Sequence, residues 1–219
     1  MAAPLLGRTN LSFPPVWLSL TGSSQFVPGQ VRDLCGAALA SGSPIDVSSN
    51  PALWGSELRG HDYVAMAIGN RDLETAPDER AAASAVQAHL LQTLSALGRE
   101  RIDFYFLRIR RAMEEVQLHG AFEAIEALRQ DGHIRFLGLM VDGSPMAALG
   151  LLQFHDAFEV VLASRTPNDQ VAWGIVEPLA RERRVGMIGF GSRAFADEHP
   201  VLVPVRTAAD IVSLGVLTS

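Results

Sequence analysis

The chain has 219 residues, a length typical of one domain, and 48% of them are hydrophobic, enough for a substantial core. A formal net charge of −6 disfavours nucleic acid as a partner, because phosphate binding needs a basic face. No apolar stretch reaches the roughly 18 residues of a membrane span, and no signal-peptide core precedes the first strand. With Cys35 as the single cysteine, we expect one cytoplasmic domain over residues 1–219, without disulfides and not bound to a membrane.

The predicted elements alternate between strands and helices along the chain. Apolar segments of strand length predict eight strands, at residues 16–20, 44–47, 63–68, 102–107, 134–141, 158–163, 185–190 and 201–205. Apolar residues at helical spacing predict helices at residues 31–40, 77–97, 113–128, 145–152 and 171–183.

This alternation predicts the architecture. Strands that are apolar on both faces indicate a parallel sheet covered by helices. Eight such strands predict an α/β fold, a (β/α)₈ TIM barrel, although 219 residues is short for one. The segment between Phe190 and Val201 is too short for a full helix. We therefore expect truncated or missing helices toward the C-terminus.

The middle of the chain carries a family resemblance. Residues 94–98 read L-S-A-L-G, residues 101–108 read R-I-D-F-Y-F-L-R, and residues 132–141 read G-H-I-R-F-L-G-L-M-V. They resemble, in the same order, the L-x-x-L-G, R-I-D-L-Y-L-L-H and G-K-I-R-Y-I-G-V-S-N segments of aldo/keto reductases. Residues 45–46 and 54–57, which read I-D and W-G-S-E, resemble the family's F-D-T-A and Y-G-x-S-E. The resemblance is strongest from about residue 85 to 190.

The resemblance implies a reaction for which this chain lacks most of the residues. The family reduces carbonyls with NADPH, using a tyrosine as proton donor, a lysine that lowers its pKa, an aspartate paired with the lysine, and a histidine. Asp46 matches the aspartate, whereas Trp54, Ala67 and Arg108 fall at the tyrosine, lysine and histidine positions. The chain contains no lysine at all. Arginine stays protonated at any workable pH and cannot replace a general acid.

The cofactor positions implied by the resemblance are also changed. Met140 and Val141 replace the Ser-Asn pair that holds the nicotinamide amide, and Leu162 replaces a glutamine. Phe190 keeps an aromatic ring where the family stacks a tyrosine, and Arg206 is what remains of the cofactor loop. We therefore expect no cofactor, with Arg206 a cofactor-binding residue only if NADPH is retained. No cluster of Cys and His indicates a metal site.

Polar residues at the predicted strand ends suggest a different site. Asp46 and Arg108 are predicted as catalytic residues, and Trp54, Asp142, Arg165 and Phe190 are predicted to bind substrate. One hypothesis is that Arg108 reaches across the gap at Ala67 to pair with Asp46. Such a pair could organise the pocket or merely neutralise Asp46, and an unpaired Arg108 could instead bind a carboxylate or phosphate.

Three functions remain open from the sequence. The first is a repurposed barrel that binds a small polar or anionic metabolite and catalyses a non-redox step, such as a cyclisation, elimination or isomerisation. The second is a pseudoenzyme that acts through protein partners or forms a homo-oligomer through the shortened C-terminal part. The third is an NADPH-dependent reductase with an unusual site.

Overall fold

The computed structural model describes residues 5–21, 27–110, 113–191 and 199–216. Eight parallel strands form a closed barrel in chain order, and the last strand pairs with the first from Val16↔Val201 to Leu20↔Val205. The strands are β1 (Val16–Leu20), β2 (Ile45–Asp46), β3 (Ala65–Ile68), β4 (Ile102–Ile109), β5 (Ile134–Val141), β6 (Val160–Arg165), β7 (Gly186–Gly191) and β8 (Val201–Val205). The predicted TIM barrel is confirmed.

Helices in the described residues cover the outside of the barrel. They are α1 (Pro28–Ala40), α2 (Pro51–Leu58), α3 (Glu79–Leu97), α4 (Glu115–Gln130), α5 (Ala148–Phe154), α6 (Gln170–Glu182) and α7 (Ala208–Ser213). The longest of them, α3, begins where the Asp78 side chain accepts a hydrogen bond from Ala81 N at 2.8 Å. It ends at Gly98, which takes the left-handed conformation with φ +64°.

Two apolar clusters lie on opposite sides of the barrel wall. Phe104 and Phe106 of β4 point into the barrel, where they pack with Trp17. The residues between and after them, Tyr105 and Leu107, pack against the helices. Because successive side chains of a strand point to opposite faces, a strand enclosed on both faces needs an unbroken apolar run.

Gly138 makes room for one of these large rings. A Cβ atom at this position would lie 2.3 Å from Cδ1 of Phe106. The barrel interior therefore accommodates Phe106 on β4 only because its neighbour on β5 has no side chain.

A short hairpin before β1 closes the N-terminal end of the barrel. Leu5 and Ser12 form an antiparallel bridge, and Leu6 joins the cluster inside the barrel. The Phe13 ring lies 5.3 Å from the rings of both Trp17 and Phe104. Apolar side chains thus fill this end of the barrel.

The prediction of shortened C-terminal helices agrees with α5 and α7, which have 7 and 6 residues. Between β7 and β8, residues 199 and 200 are not helical, and the expectation for residues 192–198 lies outside the described residues. The barrel nevertheless closes, because β8 pairs with both β7 and β1. The sequence did not predict α2 or α7.

Candidate ligand site at the barrel mouth

The carboxyl ends of the eight strands meet at one end of the barrel, which we call the barrel mouth. In TIM-barrel enzymes this end carries the active site. Arg108 lies near the end of β4, Asp142 directly follows β5, and Arg165 ends β6. These residues therefore lie at the same end of the barrel, as the sequence predicted.

The main polar cluster of the mouth is built around Asp142. Its Oδ2 accepts hydrogen bonds from Arg108 Nη2 at 2.7 Å and from Arg71 Nη2 at 2.8 Å. Arg110 Nε lies 3.9 Å from the same oxygen. Desolvation alone would raise the pKa of Asp142, but the hydrogen bonds and charges of Arg108 and Arg71 lower it below its usual value. Three guanidinium groups thus surround one carboxylate and leave a local excess of positive charge.

The hypothesis that Arg108 pairs with Asp46 is wrong. Asp46 is buried and accepts hydrogen bonds from Ser19 Oγ at 2.7 Å, from Ser48 N at 3.0 Å and from Ser48 Oγ. No cation of the described residues forms an ion pair with Asp46. Burial raises the pKa of Asp46, and the hydrogen bonds from Ser48 and Ser19 oppose that rise. Two serines therefore satisfy the carboxyl group that Arg108 was expected to neutralise.

The gap expected at Ala67 does not exist either. Ala67 faces away from the barrel interior and packs in the cluster between the sheet and the helices. The inward side chain at the end of β3 is Ile68, which is partly buried on the inner cluster. Together with Met140 and Phe190, which occupy similar positions on β5 and β7, it provides the apolar part of the mouth.

Trp54 does not contribute to a ligand surface. Its side chain is fully buried between the sheet and the helices, and its Nε1 donates to Ser49 Oγ at 3.2 Å. The prediction that Trp54 binds substrate is therefore wrong. The following residue, Gly55, lies so close to α3 that a Cβ atom there would be 2.1 Å from Ala96 O. This packing holds the indole inside the protein.

The remaining predicted site residues lie on the other side of the mouth. The guanidinium of Arg165 stacks over the ring of Trp173, 4.8 Å from its centroid. Arg206 is exposed and lies between β8 and α7. Its backbone N–H donates a hydrogen bond to Asp210 Oδ2 at 2.8 Å. Neither arginine joins the cluster around Asp142.

Sequence reasoning missed Arg71, Ser19 and Ser48. Arg71 lies three residues beyond the end of β3, in the loop that a TIM barrel places at its mouth. Its position in that loop was a usable signal. The serines gave none, because a serine beside an apolar strand is common and its partner is fixed only by the pairing of β1 with β2.

Comparison with solved structures identifies the fold. An aldo-keto reductase from Bacillus halodurans, in its apo form, superposes with a TM-score of 0.74 at 14% identity, over 100% of this chain and 91% of that one. The chain has the aldo-keto reductase fold. An aldo/keto reductase from Brucella melitensis superposes with a TM-score of 0.73 at 11% identity, over 96% of this chain and 91% of that one. An aldo-keto reductase enzyme from a Medee basin deep-sea metagenome library superposes with a TM-score of 0.72 at 14% identity, over 95% of this chain and 87% of that one.

These identities establish the fold alone. No family model matches the chain, and no curated protein matches it significantly. The aldo-keto reductase fold agrees with the resemblance drawn from the sequence. The chemistry of this chain depends on its own side chains.

The two tyrosines of the chain lie away from the barrel mouth's interior. Tyr105 points from β4 toward α3, where its hydroxyl lies 3.2 Å from Nδ1 of His89. Tyr63 lies before β3, at the N-terminal end of the barrel, with the guanidinium of Arg99 over its ring. Burial raises the pKa of both phenols. Neither is placed or activated as a proton donor at the mouth.

The side chains at the expected nicotinamide positions do not fit its polar amide. Met140 is an apolar, partly buried side chain at the mouth, Val141 faces the helices, and Leu162 is fully buried inside the barrel. None of these three side chains can donate a hydrogen bond, and the thioether sulfur of Met140 is at most a weak acceptor.

The described residues contain no group of three or more His, Cys, Asp or Glu side chains arranged to hold a metal ion. Within the same ranges, no helix combines the length and apolar character needed to cross a membrane.

Proposed function

We propose that the barrel mouth binds a small organic anion, and that this chain uses the aldo-keto reductase fold without NADPH-dependent carbonyl reduction. The observation that carries the proposal is the cluster in which Arg71, Arg108 and Arg110 surround Asp142. With Glu74, whose Oε1 accepts from Arg110 N at 2.9 Å, two carboxylates lie beside three guanidinium groups and an excess of positive charge remains. A guanidinium binds carboxylate and phosphate oxygens through paired N–H donors, so an anion would complete the cluster.

Arg108 is the strongest candidate for direct contact. Its side chain is 27% exposed, and Asp142 is 29% exposed, so the pair borders solvent without being fully solvated. Arg108 Nε is buried and has no hydrogen-bond partner among the described residues. An unsatisfied buried donor on a charged group costs free energy, which an incoming acceptor would recover.

The apolar side chains beside the cluster indicate what the rest of the ligand is like. Ile68, Met140 and Phe190 are partly buried at the mouth and offer apolar surface. A ligand with a carboxylate and an apolar body would match both parts, since pockets pair apolar walls with a few polar groups that fix orientation.

The same residues argue against carbonyl reduction. A phenol with a pKa near 10 donates a proton usefully at neutral pH only when a nearby cation lowers that pKa. This chain has no lysine, and the pKa values of its tyrosines are raised rather than lowered. A non-redox step would need another group to move a proton. Asp46, whose pKa is raised by burial, is the candidate for it.

The test is a calorimetric titration of the protein with benzoate, pyruvate and NADPH. We expect binding of a small carboxylate that weakens at least about tenfold in Arg108→Gln, because a hydrogen bond to a charged group is lost. Arg80→Gln, which removes an exposed arginine on α3, is the matched control and should bind like the wild type. Micromolar NADPH binding, or carboxylate binding that Arg108→Gln leaves intact, would contradict the proposal.

Self-association is a second candidate function. Val171 and Ile175, one turn apart on α6, are 78% and 48% exposed, and Phe154 at the end of the adjacent α5 is 83% exposed. Exposed apolar side chains of this size favour an interface. We therefore expect a dimer in analytical ultracentrifugation and a monomer for Val171→Glu. A wild-type monomer at every concentration would remove this candidate.

A further inference from the structure

A second cluster of arginines lies at the opposite end of the barrel. Arg99 and Arg101 precede β4, and Arg135 is the second residue of β5. All three lie within 4 Å of the carboxylate of Asp103, at 3.5, 3.7 and 3.9 Å. Since the strands are parallel, this cluster lies at their N-terminal ends, away from the barrel mouth.

Asp103 is already well supplied with partners. It is buried, and its Oδ2 accepts a hydrogen bond from Ala65 N at 2.9 Å. Arg101 and Arg135 keep their side chains 54% and 43% exposed and approach Asp103 at distances beyond a good hydrogen bond. Their guanidinium groups therefore retain donors for another anion.

The arginines line a cavity of about 280 Å³. The nearby acidic groups are Asp103 and the exposed Asp62, so three guanidinium groups face two carboxylates. The cavity adjoins a more open groove that shares Arg99 and Arg101, continues to His133 and also carries the carboxylates of Glu100 and Asp131, so the excess positive charge is confined to the cavity. A cavity of this size suits the charged group of a small molecule, and the groove offers space for the remainder.

Two hydroxyl groups at the cavity have no acceptor for their protons. Ser43 is only 2% exposed, and its Oγ has no hydrogen-bond partner among the residues that the structure describes. The Tyr63 oxygen interacts with the guanidinium of Arg99, which can only donate, so the Tyr63 O–H has no acceptor within the same residues. Both residues line the cavity. Buried hydroxyls are normally hydrogen-bonded, and leaving one unsatisfied destabilises the folded protein. An acceptor atom is therefore the missing part of this cavity.

Tyr63 is suited to donate rather than accept. Burial raises its pKa, although Arg99 opposes that rise, so the phenol keeps its proton at neutral pH. The guanidinium of Arg99 lies 4.4 Å from the centroid of the Tyr63 ring and covers it. A movement of Arg99 toward a bound anion would uncover the ring beneath it.

We infer that this cavity, lined by Arg99, Arg101, Arg135, Tyr63 and Ser43, is a second ligand site that binds a phosphate group. Three guanidinium forks and two hydroxyls offer more donors than the two oxygens of a carboxylate can use. A phosphate group presents three terminal oxygens and matches them better. The site is separate from the barrel mouth and does not depend on the function proposed there.

The first experiment is a calorimetric titration of the full chain with inorganic phosphate and, separately, with glycerol 3-phosphate. We expect saturable binding that weakens at least about tenfold in the double variant Arg101→Gln/Arg135→Gln, because charge-assisted hydrogen bonds are lost. Arg80→Gln, which removes an exposed arginine on α3, should bind phosphate like the wild type. Both replaced arginines are half-exposed, so far-UV circular dichroism should show an intact fold.

The comparison of the two probes distinguishes the sources of the phosphate group. Tighter binding of glycerol 3-phosphate supports a phosphorylated metabolite whose organic part follows the groove to His133. Equal affinity supports free phosphate as the ligand. A flat titration with both probes, or binding that the double variant retains, would overturn the inference. Because carboxylate binding at the barrel mouth is titrated separately, failure at one site is distinguishable from failure at the other.

The hydroxyls provide a second measurement. Tyr63→Phe and Ser43→Ala each remove one donor while keeping the packing of the cavity. We expect each to weaken phosphate binding severalfold. Ser43→Ala should not lower stability, since the Ser43 hydroxyl has no partner among the described residues, whereas Tyr63→Phe also removes the oxygen that interacts with Arg99. Unchanged affinity in both variants would show that the hydroxyls do not contact the anion and that the assignment of Tyr63 and Ser43 is wrong.

Discussion

Arg108 and Asp142 link the ends of two adjacent strands, with Nη2 of the arginine 2.7 Å from Oδ2 of the aspartate. The register of β4 on β5 brings them together, because Arg108 pairs with Met140 and Ile109 with Val141, and Asp142 follows directly. Arg71 from the loop after β3 binds the same oxygen at 2.8 Å. Positive charge is thereby concentrated at one side of the barrel mouth, with Asp142 as the carboxylate that all three guanidinium groups approach.

Replacement of Asp142 should expose that concentration of charge. Asp142→Asn leaves three guanidinium groups without a carboxylate, and we expect the free energy of unfolding to fall by up to about 1 kcal/mol at low salt. The loss should shrink in 1 M salt, where charges are screened within about 3 Å. Urea denaturation at the two salt concentrations measures it. Asp33→Asn, which removes an exposed carboxylate on α1, should show no comparable salt dependence. An equal loss at both salt concentrations would contradict the electrostatic account.

Asp46 should make stability depend on pH in a definite direction. Its pKa in the folded protein is raised above 3.8, so the folded state binds the proton more tightly than the unfolded chain. The contribution of Asp46 is therefore fully present below about pH 3.8 and is lost as the pH rises through the folded-state pKa. The difference in unfolding free energy between wild type and Asp46→Asn should accordingly change with pH above this value. Urea titrations from pH 4 upward measure it, and a difference that is constant with pH would refute the raised pKa.

Trp54 should affect stability and not ligand binding. It is fully buried, so Trp54→Ala should cost about 3–5 kcal/mol of unfolding free energy, and Trp54→Phe clearly less. Urea denaturation gives both values. The folded fraction of Trp54→Phe should bind the ligand of the barrel mouth with wild-type affinity. A stable Trp54→Phe variant with weakened ligand binding would show that Trp54 does contribute to the ligand site.

Gly138 and Phe106 should behave as a coupled pair. The Cβ of Gly138→Ala would lie 2.3 Å from the Phe106 ring, and we expect a loss of about 1–3 kcal/mol from overpacking. Phe106→Leu removes the obstructing ring, so the double variant should be more stable than the sum of the single losses predicts. A double-mutant cycle of unfolding free energies tests this coupling. Strict additivity would mean that the backbone of β5 moves to accept the methyl group.

The sequence determined the fold through local patterns. The strands predicted at residues 16–20, 134–141 and 201–205 match strands of the barrel residue for residue, because a strand enclosed on both faces is mostly apolar along its length. The end of α3 at Gly98 could also be predicted from the sequence, since glycine readily takes the left-handed conformation that ends a helix. The short helix α2 was not, because its eight residues carry too little periodicity to be distinguished from a loop.

The site depended on tertiary structure. The sequence placed Arg108 and Asp142 at strand ends, but it could not decide that Arg108 pairs with Asp142 while Ser19 and Ser48 satisfy Asp46. Those partners follow from which strands are neighbours and from their register, and a shift of one residue turns a side chain such as Ala67 from one face of the sheet to the other. Local patterns fix which residues form a strand. Partners of a charged group depend on distances across the closed barrel, which exist only once all eight strands have paired.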